Sequence, residues 1–252
     1  MSIGESPSAH TANATSNAYS SWRRLLRLLA LETTGDICSI AAVQDGEVAA
    51  AFAFAHRMQL STRLMPLIDH LLHTAGWQIG EVDAFATGLG PGSFTGTRVG
   101  VMTAKTFAQV YARPIVGVCS LDILAAEYTF IPHHLICAVI PARRGEVYAA
   151  IYEGGSPIPQ PVVERAVYTA ETLHSALLPY IANDVIVTGE VPAEFVHALA
   201  DYPVCLAPIK HPRAETLGQL GTKLLERGHR DNPLTLVPMY LKPPAITMPK
   251  TA

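Results

Sequence analysis

The chain has 252 residues, 49% of them hydrophobic and 15% charged, with a formal net charge of −3. This composition excludes a disordered chain and suits one large domain or two smaller ones. The faintly acidic balance excludes tight unaided binding to nucleic acid, though not a subunit whose partner holds the RNA. The four cysteines, Cys38, Cys119, Cys137 and Cys205, are far apart and form no C-x-x-C pair. Zinc-ribbon and thioredoxin-like readings therefore fail, and the cysteines read as small buried residues of a reducing compartment. No apolar run reaches the roughly 18 residues of a membrane-spanning helix.

Residues 1–24 begin with a stretch rich in Ser, Ala, Asn and Thr and close on Trp22-Arg23-Arg24. They read as a flexible extension or an early start, with a Ser-rich targeting peptide as the alternative. Leu25 to Glu32 and Ile37 to Val43 are apolar runs suited to strands, and Asp45-Gly46 is a hairpin turn leading to a third strand, Glu47 to Ala55. The period then changes. Leu60, Leu64, Leu67, Ile68, Leu71, Leu72 and Ala75 follow one helical face, with Ser61 to cap it, Gly76 to end it and Pro66 to bend it or mark its first turn. A strand (Val82 to Leu89), a glycine-rich turn, a helix (Gly96 to Tyr111), a strand (Pro114 to Val118) and a short helix (Ser120 to Tyr128) follow.

The second half repeats the order. His134 to Pro141 and Glu146 to Tyr152 are strands about the Arg143-Arg144-Gly145 turn. An excursion from Glu153 leads to a third strand from Pro161 to Val167, and Thr169 caps a helix running to Ile181. A strand (Val185 to Thr188), a helix (Ala193 to Ala200), a strand (Val204 to Leu206) and a helix (Ala214 to Arg227) complete it, and Leu234 to Ala252 is a proline-rich extended tail. Three antiparallel strands followed by alternating helices and strands form the ribonuclease-H-like unit. Two in tandem predict the α/β, actin-like (ASKHA) fold, divided as an extension (1–24), a first subdomain (25–130) and a second subdomain with tail (131–252).

Gly90-Pro91-Gly92-Ser93-Phe94-Thr95-Gly96-Thr97-Arg98-Val99-Gly100 follows a strand and opens a helix. Glycines let backbone N–H groups face a ligand and the helix start favours an anion, so the loop suits a phosphate. It suits a rigid helix-positioning turn equally well, and Thr97-Arg98 is not the Lys-Ser/Thr of a Walker loop. Glu32, Thr33 and Thr34 stand where the actin-like architecture places an acid and hydroxyls near phosphates; an ordinary strand end is the other reading. Gly96, Gly100, Ala104 and Ala108 make a small-residue stripe for close packing, against the chain's own sheet or a helix of another subunit. His70 and His73, beside Asp69, and the adjacent His133 and His134 read as surface residues rather than a metal site. Ser93 only faintly resembles a nucleophile elbow, because G-x-S-x-G is not met.

These residues carry a family resemblance. Leu29 to Thr34, Leu64-Met65-Pro66-Leu67-Ile68, the Gly90 to Gly100 run, Gly117 to Ala125, Ala142 to Tyr148 and Pro238-Met239-Tyr240-Leu241-Lys242 resemble TsaB, also called YeaZ, in order over about residues 27 to 245. The resemblance implies a cytoplasmic, non-catalytic scaffold of the complex that forms N6-threonylcarbamoyladenosine (t6A) at position 37 of ANN-decoding tRNAs. It implies pairing with the catalytic paralogue TsaD and the ATPase TsaE, or with a second copy. It implies tRNA contact only within the complex, and no cofactor of its own, ATP and a metal belonging to the partners.

The implied interface is the two N-terminal helices, with Leu64, Leu67, Ile68, Leu71, Thr97, Gly100, Val101, Ala104 and Ala108 facing the partner, so that Ala104→Arg is expected to break binding and leave the fold. The implied nucleotide loop is Glu32, Thr33, Thr34, Gly90, Pro91, Gly92, Ser93 and Gly96. TsaD carries a metal-binding histidine pair where this chain has Ser120 and Leu124, which removes the transferase site. Pro141 and Glu32 stand where the family has Asp, and both weigh against nucleotide binding by this subunit. An autonomous actin-fold kinase or ATPase is the competing function, and a metal-dependent peptidase the third.

Overall fold

The computed structural model describes residues 25–55, 59–143, 145–180 and 182–242. Its first half contains β1 (Arg27–Glu32), β2 (Ile37–Gln44), β3 (Glu47–Ala55), α1 (Leu60–Thr74), β4 (Ala84–Gly88), α2 (Phe94–Val110), β5 (Ile115–Val118) and α3 (Ser120–Ala126). The strands form one sheet in the order β3-β2-β1-β4-β5. The first three are antiparallel, while β4 and β5 run parallel to β1. Asp45 and Gly46, both at positive φ, make the tight turn between β2 and β3 that their dipeptide announces.

The second half contains β6 (Leu135–Pro141), β7 (Val147–Glu153), β8 (Pro161–Tyr168), α4 (Ala170–Leu177), β9 (Val185–Gly189), α5 (Ala193–Ala198), β10 (Val204–Leu206) and α6 (Ala214–Glu226). Its sheet, β10-β9-β6-β7-β8, repeats the pairing of the first. Two units of this order make the actin-like fold read from the sequence.

The inner strands of both sheets are covered on both faces, which is why β2, β4, β6 and β9 are apolar along most of their length, whereas the edge strands β3 and β8 are part-exposed. Leu29 and Leu31 of β1 point to the side of α1 and α2, where they meet Leu64, Ile68, Leu71, Ala104 and Ala108. Leu28 and Ala30 point to the other side and meet Ala214, Leu217 and Leu220 of α6. Helix α6 thus leaves its own half to cover the first sheet. In return, Leu121, Leu124 and Ala125 of α3 pack on Ile136, Ala138 and Ala150 of the second sheet. Glu127, just past α3, accepts hydrogen bonds from Arg213 at 2.9 and 2.6 Å and from the Thr216 hydroxyl, clamping the two exchanged helices together. The excursion after β7 sends Ile158 into the same first-half cluster as α6.

Several boundaries differ from the sequence reading, each for a local reason. Helix α1 begins at Leu60 after Gln59, whose side chain makes no cap, so Ser61 lies inside its first turn, and Pro66 sits within the helix on its exposed side. Gly76 at positive φ ends it, with Gly76 N bonded to His73 O and Trp77 N to Leu72 O, the paired bonds of a Schellman stop. Val82 closes a 3-10 turn over Ile79–Glu81, so β4 starts only at Ala84. Helix α4 stops at Leu177 and passes into a 3-10 turn, Leu178–Tyr180; Ile181, where it was expected to end, lies outside the described residues. Residues 1–24, Arg144 and the tail beyond Lys242 also lie outside them.

The described part of the tail is a strap. Asp231 bridges to Ile115 at the edge of β5, Lys105 of α2 donates to Leu236 O at 2.7 Å, Met239 N donates to Leu89 O at 2.8 Å, and Lys242 pairs with Glu146 of the second half at 2.6 Å.

Candidate functional site

The end of β1 and the glycine-rich loop do meet, as the sequence suggested. Glu32 is the last residue of β1 and is fully buried. Its Oε1 accepts from the Thr34 N–H at 2.8 Å and from the Thr34 hydroxyl, whereas Oε2 has no partner. The carboxyl lies against the bare Cα of Gly88 on neighbouring β4; a Cβ there would fall 2.0 Å from Oε2. Burial pushes the Glu32 carboxyl up to about 7, with the two Thr34 hydrogen bonds acting in the opposite direction. The Thr34 hydroxyl also lies 2.9 Å from that of Ser120, so the acid, Thr34 and the start of α3 form one buried polar chain.

A cis peptide joins Gly90 to Pro91. Ser93 caps α2, its hydroxyl accepting from Gly96 N at 3.2 Å, while its own N–H donates to Thr34 O. The Thr33 hydroxyl donates to Gly96 O at 2.8 Å. Close approach explains the glycines here: an added Cβ would sit 2.2 Å from Thr34 O at Gly92, 2.2 Å from Thr33 O at Gly96 and 2.1 Å from Thr33 Oγ1 at Gly100. These residues hold the start of α2 tightly against the end of β1. Two N–H groups that could face a phosphate, on Ser93 and Gly96, are spent on internal partners. The Ser93 hydroxyl serves as a cap rather than a nucleophile.

The stripe on α2 faces the chain's own sheet. Thr97, Gly100, Val101, Ala104 and Ala108 are buried, as are Leu64, Ile68 and Leu71 of α1, with Leu67 partly so. Apart from the partly exposed Leu67, these side chains are covered by the chain's own core. Ala104 has 0% exposure, so an arginine there is a test of the core and not of a surface. What the two helices present outward is a different set: Met65 (50% exposed), Met102 (58%) and Val110 (70%).

Among the described residues no group of three or more His, Cys, Asp or Glu could hold a metal, and no helix is long and apolar enough to cross a membrane. His70 and His73 are exposed on α1, and the His70 ring stacks on Phe52 with centroids 5.1 Å apart. Ser120 and Leu124, the positions matched to a metal-binding histidine pair, are both fully buried, the first bonded to Thr34 and the second in the apolar core. Sequence reasoning overlooked one polar network nearby. Asp122 of α3 accepts from the Tyr152 hydroxyl at 2.6 Å and from Arg165 at 2.8 and 2.9 Å, joining α3 to β7 and β8. Nothing in local sequence pairs residues 30 and 43 positions apart.

The family model for TsaD, tRNA N6-adenosine threonylcarbamoyltransferase, matches residues 55–246. The tRNA threonylcarbamoyladenosine biosynthesis protein TsaB of Escherichia coli K12 is 32% identical over 160 residues, covering 63% of this chain and 65% of that protein. The chain belongs to the TsaD family, in its TsaB/YeaZ branch. The TsaB of Haemophilus influenzae is 38% identical over 124 residues, 49% of this chain and 52% of the relative. The chain therefore spans roughly half to two thirds of the length of these curated TsaB relatives. A solved structure of YeaZ from Pseudomonas aeruginosa superposes with a TM-score of 0.71 at 28% identity, covering 86% of this chain and all of that one. A second Pseudomonas aeruginosa structure, described as similar to peptidase YeaZ, gives a TM-score of 0.75 at 29% identity with the same coverage. The Gly90 to Gly100 loop and the outward faces of α1 and α2 lie inside the region matched to the TsaD model.

Proposed function

We propose that this TsaB-branch chain is a non-catalytic subunit of the machinery that forms t6A at position 37 of ANN-decoding tRNAs. In this reading it pairs through α1 and α2 with a TsaD-type catalytic paralogue, works with a TsaE-type ATPase in the cytoplasm, and meets tRNA only within the complex. The observation that carries the reading is the fate of the two positions matched to the paralogue's metal-binding histidines. Leu124 has no ligating atom and is a fully buried core residue, and the Ser120 hydroxyl is engaged with Thr34.

The sealed carboxyl of Glu32 supports the same conclusion. An acid that serves a phosphate-bound metal must reach it ionised, whereas this one is buried with its pKa raised to about 7. The outward strip of Met65, Met102 and Val110 supports a partner helix pair, since soft, exposed, apolar side chains on adjacent helices lose hydration cost when covered. Because the named stripe is buried, the contact in this reading is made by that outer strip.

Reconstitution tests the proposal. Purified chain, TsaD and TsaE homologues from the same source, ATP and the threonylcarbamoyl donor are combined with unmodified tRNA, and t6A is measured by nucleoside mass spectrometry. Product is expected only when chain and paralogue are both present. Turnover by the chain alone, or an unchanged rate without it, refutes the reading.

A further inference from the structure

A cleft of about 380 Å³ opens between Pro91 and Gly92 of the glycine-rich loop, the β6–β7 hairpin and the strap. That volume is near the lower end of the roughly 300–1,000 Å³ range of small-ligand sites. Its walls are rings and cations: Phe94, Tyr148 and Tyr240, with Arg143 and Lys242.

The guanidinium of Arg98 lies 3.7 Å over the Phe94 ring, 5.9 Å from the Tyr240 ring, and donates from Nε to the Tyr240 hydroxyl at 2.8 Å. This holds the two rings in place, centroids 5.7 Å apart and planes inclined by 36°, and each of the two residues stays 44% exposed. Lys242 is neutralised by Glu146 at 2.6 Å. The Arg143 side chain has no ion-pair partner among the described residues and borders the same space.

Half-exposed rings braced by a cation offer a stacking surface for any flat aromatic group. A free guanidinium beside them suits a phosphate, to which it can donate two parallel hydrogen bonds. The ligand that fits both is aromatic at one end and anionic at the other. We infer that this cleft holds one unpaired nucleotide of an RNA strand, with the base against Phe94 and Tyr240 and the phosphate on Arg143.

The inference rests on the tRNA-modification reading above. The recognised chemistry, a nucleoside monophosphate, is shared with a free mononucleotide. The strand is favoured because Arg143 is the one cation lining the cleft without an ion-pair partner among the described residues, which matches the one charge of an internucleotide phosphate, and because a chain of net charge −3 has little to offset the several charges of a free polyphosphate. Glu32, Thr33 and Thr34 are not part of the cleft wall, which takes only Pro91 and Gly92 from the phosphate loop expected of the fold.

The test measures tRNA affinity of the co-purified complex with the catalytic paralogue, by anisotropy of labelled tRNA over a series of salt concentrations. Phe94→Ala and Arg143→Ala are each expected to weaken binding about tenfold, and Arg143→Ala to reduce the salt slope by about one phosphate equivalent. Phe130→Ala, an exposed aromatic outside the cleft (76% exposed), is expected to change nothing. Wild-type complex that binds tRNA with an affinity moved less than twofold by both cleft variants overturns the inference and leaves the scaffold reading intact. Micromolar binding of AMP that is lost in Arg143→Ala, with tRNA affinity unchanged, assigns the cleft to a free nucleotide and overturns the RNA assignment. Absence of any tRNA binding by the wild-type complex overturns the scaffold reading and this inference together.

Discussion

Glu32→Gln removes the one fully buried carboxyl among the described residues, which the core of the first sheet must accommodate. In the folded chain the carboxyl is fully buried, one oxygen unpartnered, and its pKa is raised from 4.5 to about 7. The acid therefore holds its proton more tightly when folded than when unfolded. Its contribution to stability is fully present below pH 4.5 and is lost as pH rises through about 7. The loss amounts to about 3 kcal/mol over that window, at roughly 1.4 kcal/mol per pH unit. The Cys38 thiol, which feels the Glu32 charge, is pushed up to about 12 and does not titrate in the window. Gln cannot ionise and keeps an oxygen for the Thr34 donors. Urea unfolding followed by circular dichroism at pH 5, 6, 7 and 8 should show the variant gaining on the wild type as pH rises, by about 2.5 kcal/mol between the limits. A difference that stays constant within about 0.5 kcal/mol across those values would show that Glu32 titrates as an ordinary carboxylate, and the sealed-acid argument would fall.

Ala112 follows the last turn of α2 at φ 50, a left-handed position that costs a residue with a Cβ about 1 kcal/mol, so Ala112→Gly should raise unfolding free energy by about 0.5–1 kcal/mol; a loss of stability would contradict this. Ala104→Arg drives a charged side chain into a fully buried position and should leave little folded protein, whereas Met102→Arg, on the exposed face, should keep the wild-type melting temperature; the two outcomes reversed would mean that α2 is rotated from the orientation described. Cys205 is the exposed cysteine, while Cys38, Cys119 and Cys137 are buried with thiols pushed up to about 12, so an aromatic disulfide reagent should titrate one thiol quickly in native protein and four after denaturation; three or four fast thiols would contradict the packing.

Local chemistry made the strands and helices legible. The Asp45-Gly46 turn, the helical period from Leu60 and the Gly76 stop each depend on neighbours in the chain, and each appears in place. The repeated element order was enough to expect two like sheets. Long-range contacts were not legible. The stripe from Gly96 to Ala108 has the same spacing whether it meets a sheet or a foreign helix, and only the position of Thr33 against Gly96 and Gly100 decides in favour of the sheet. The exchange of α3 and α6 between sheets, fastened by Glu127 and Arg213 across 86 positions, has no local signature either. Glu32 stands where the actin-like architecture places an acid, and the sequence leaves a ligand role and an ordinary strand end both open; its seal depends on Gly88 from another strand. The Arg98 bridge to Phe94 and Tyr240 was hidden for the same reason, although all three residues lay inside motifs already singled out.

The central claim is that the chain works as the partner of a TsaD-type paralogue through the outer faces of α1 and α2. Co-purification of the two proteins from one source, read by size-exclusion chromatography with light scattering, tests it most directly. A stable complex in one-to-one ratio, lost in folded Met102→Arg, is the expected result. No complex at micromolar concentration, with or without the TsaE-type ATPase and ATP, would contradict the claim and return the chain to the class of autonomous actin-fold proteins.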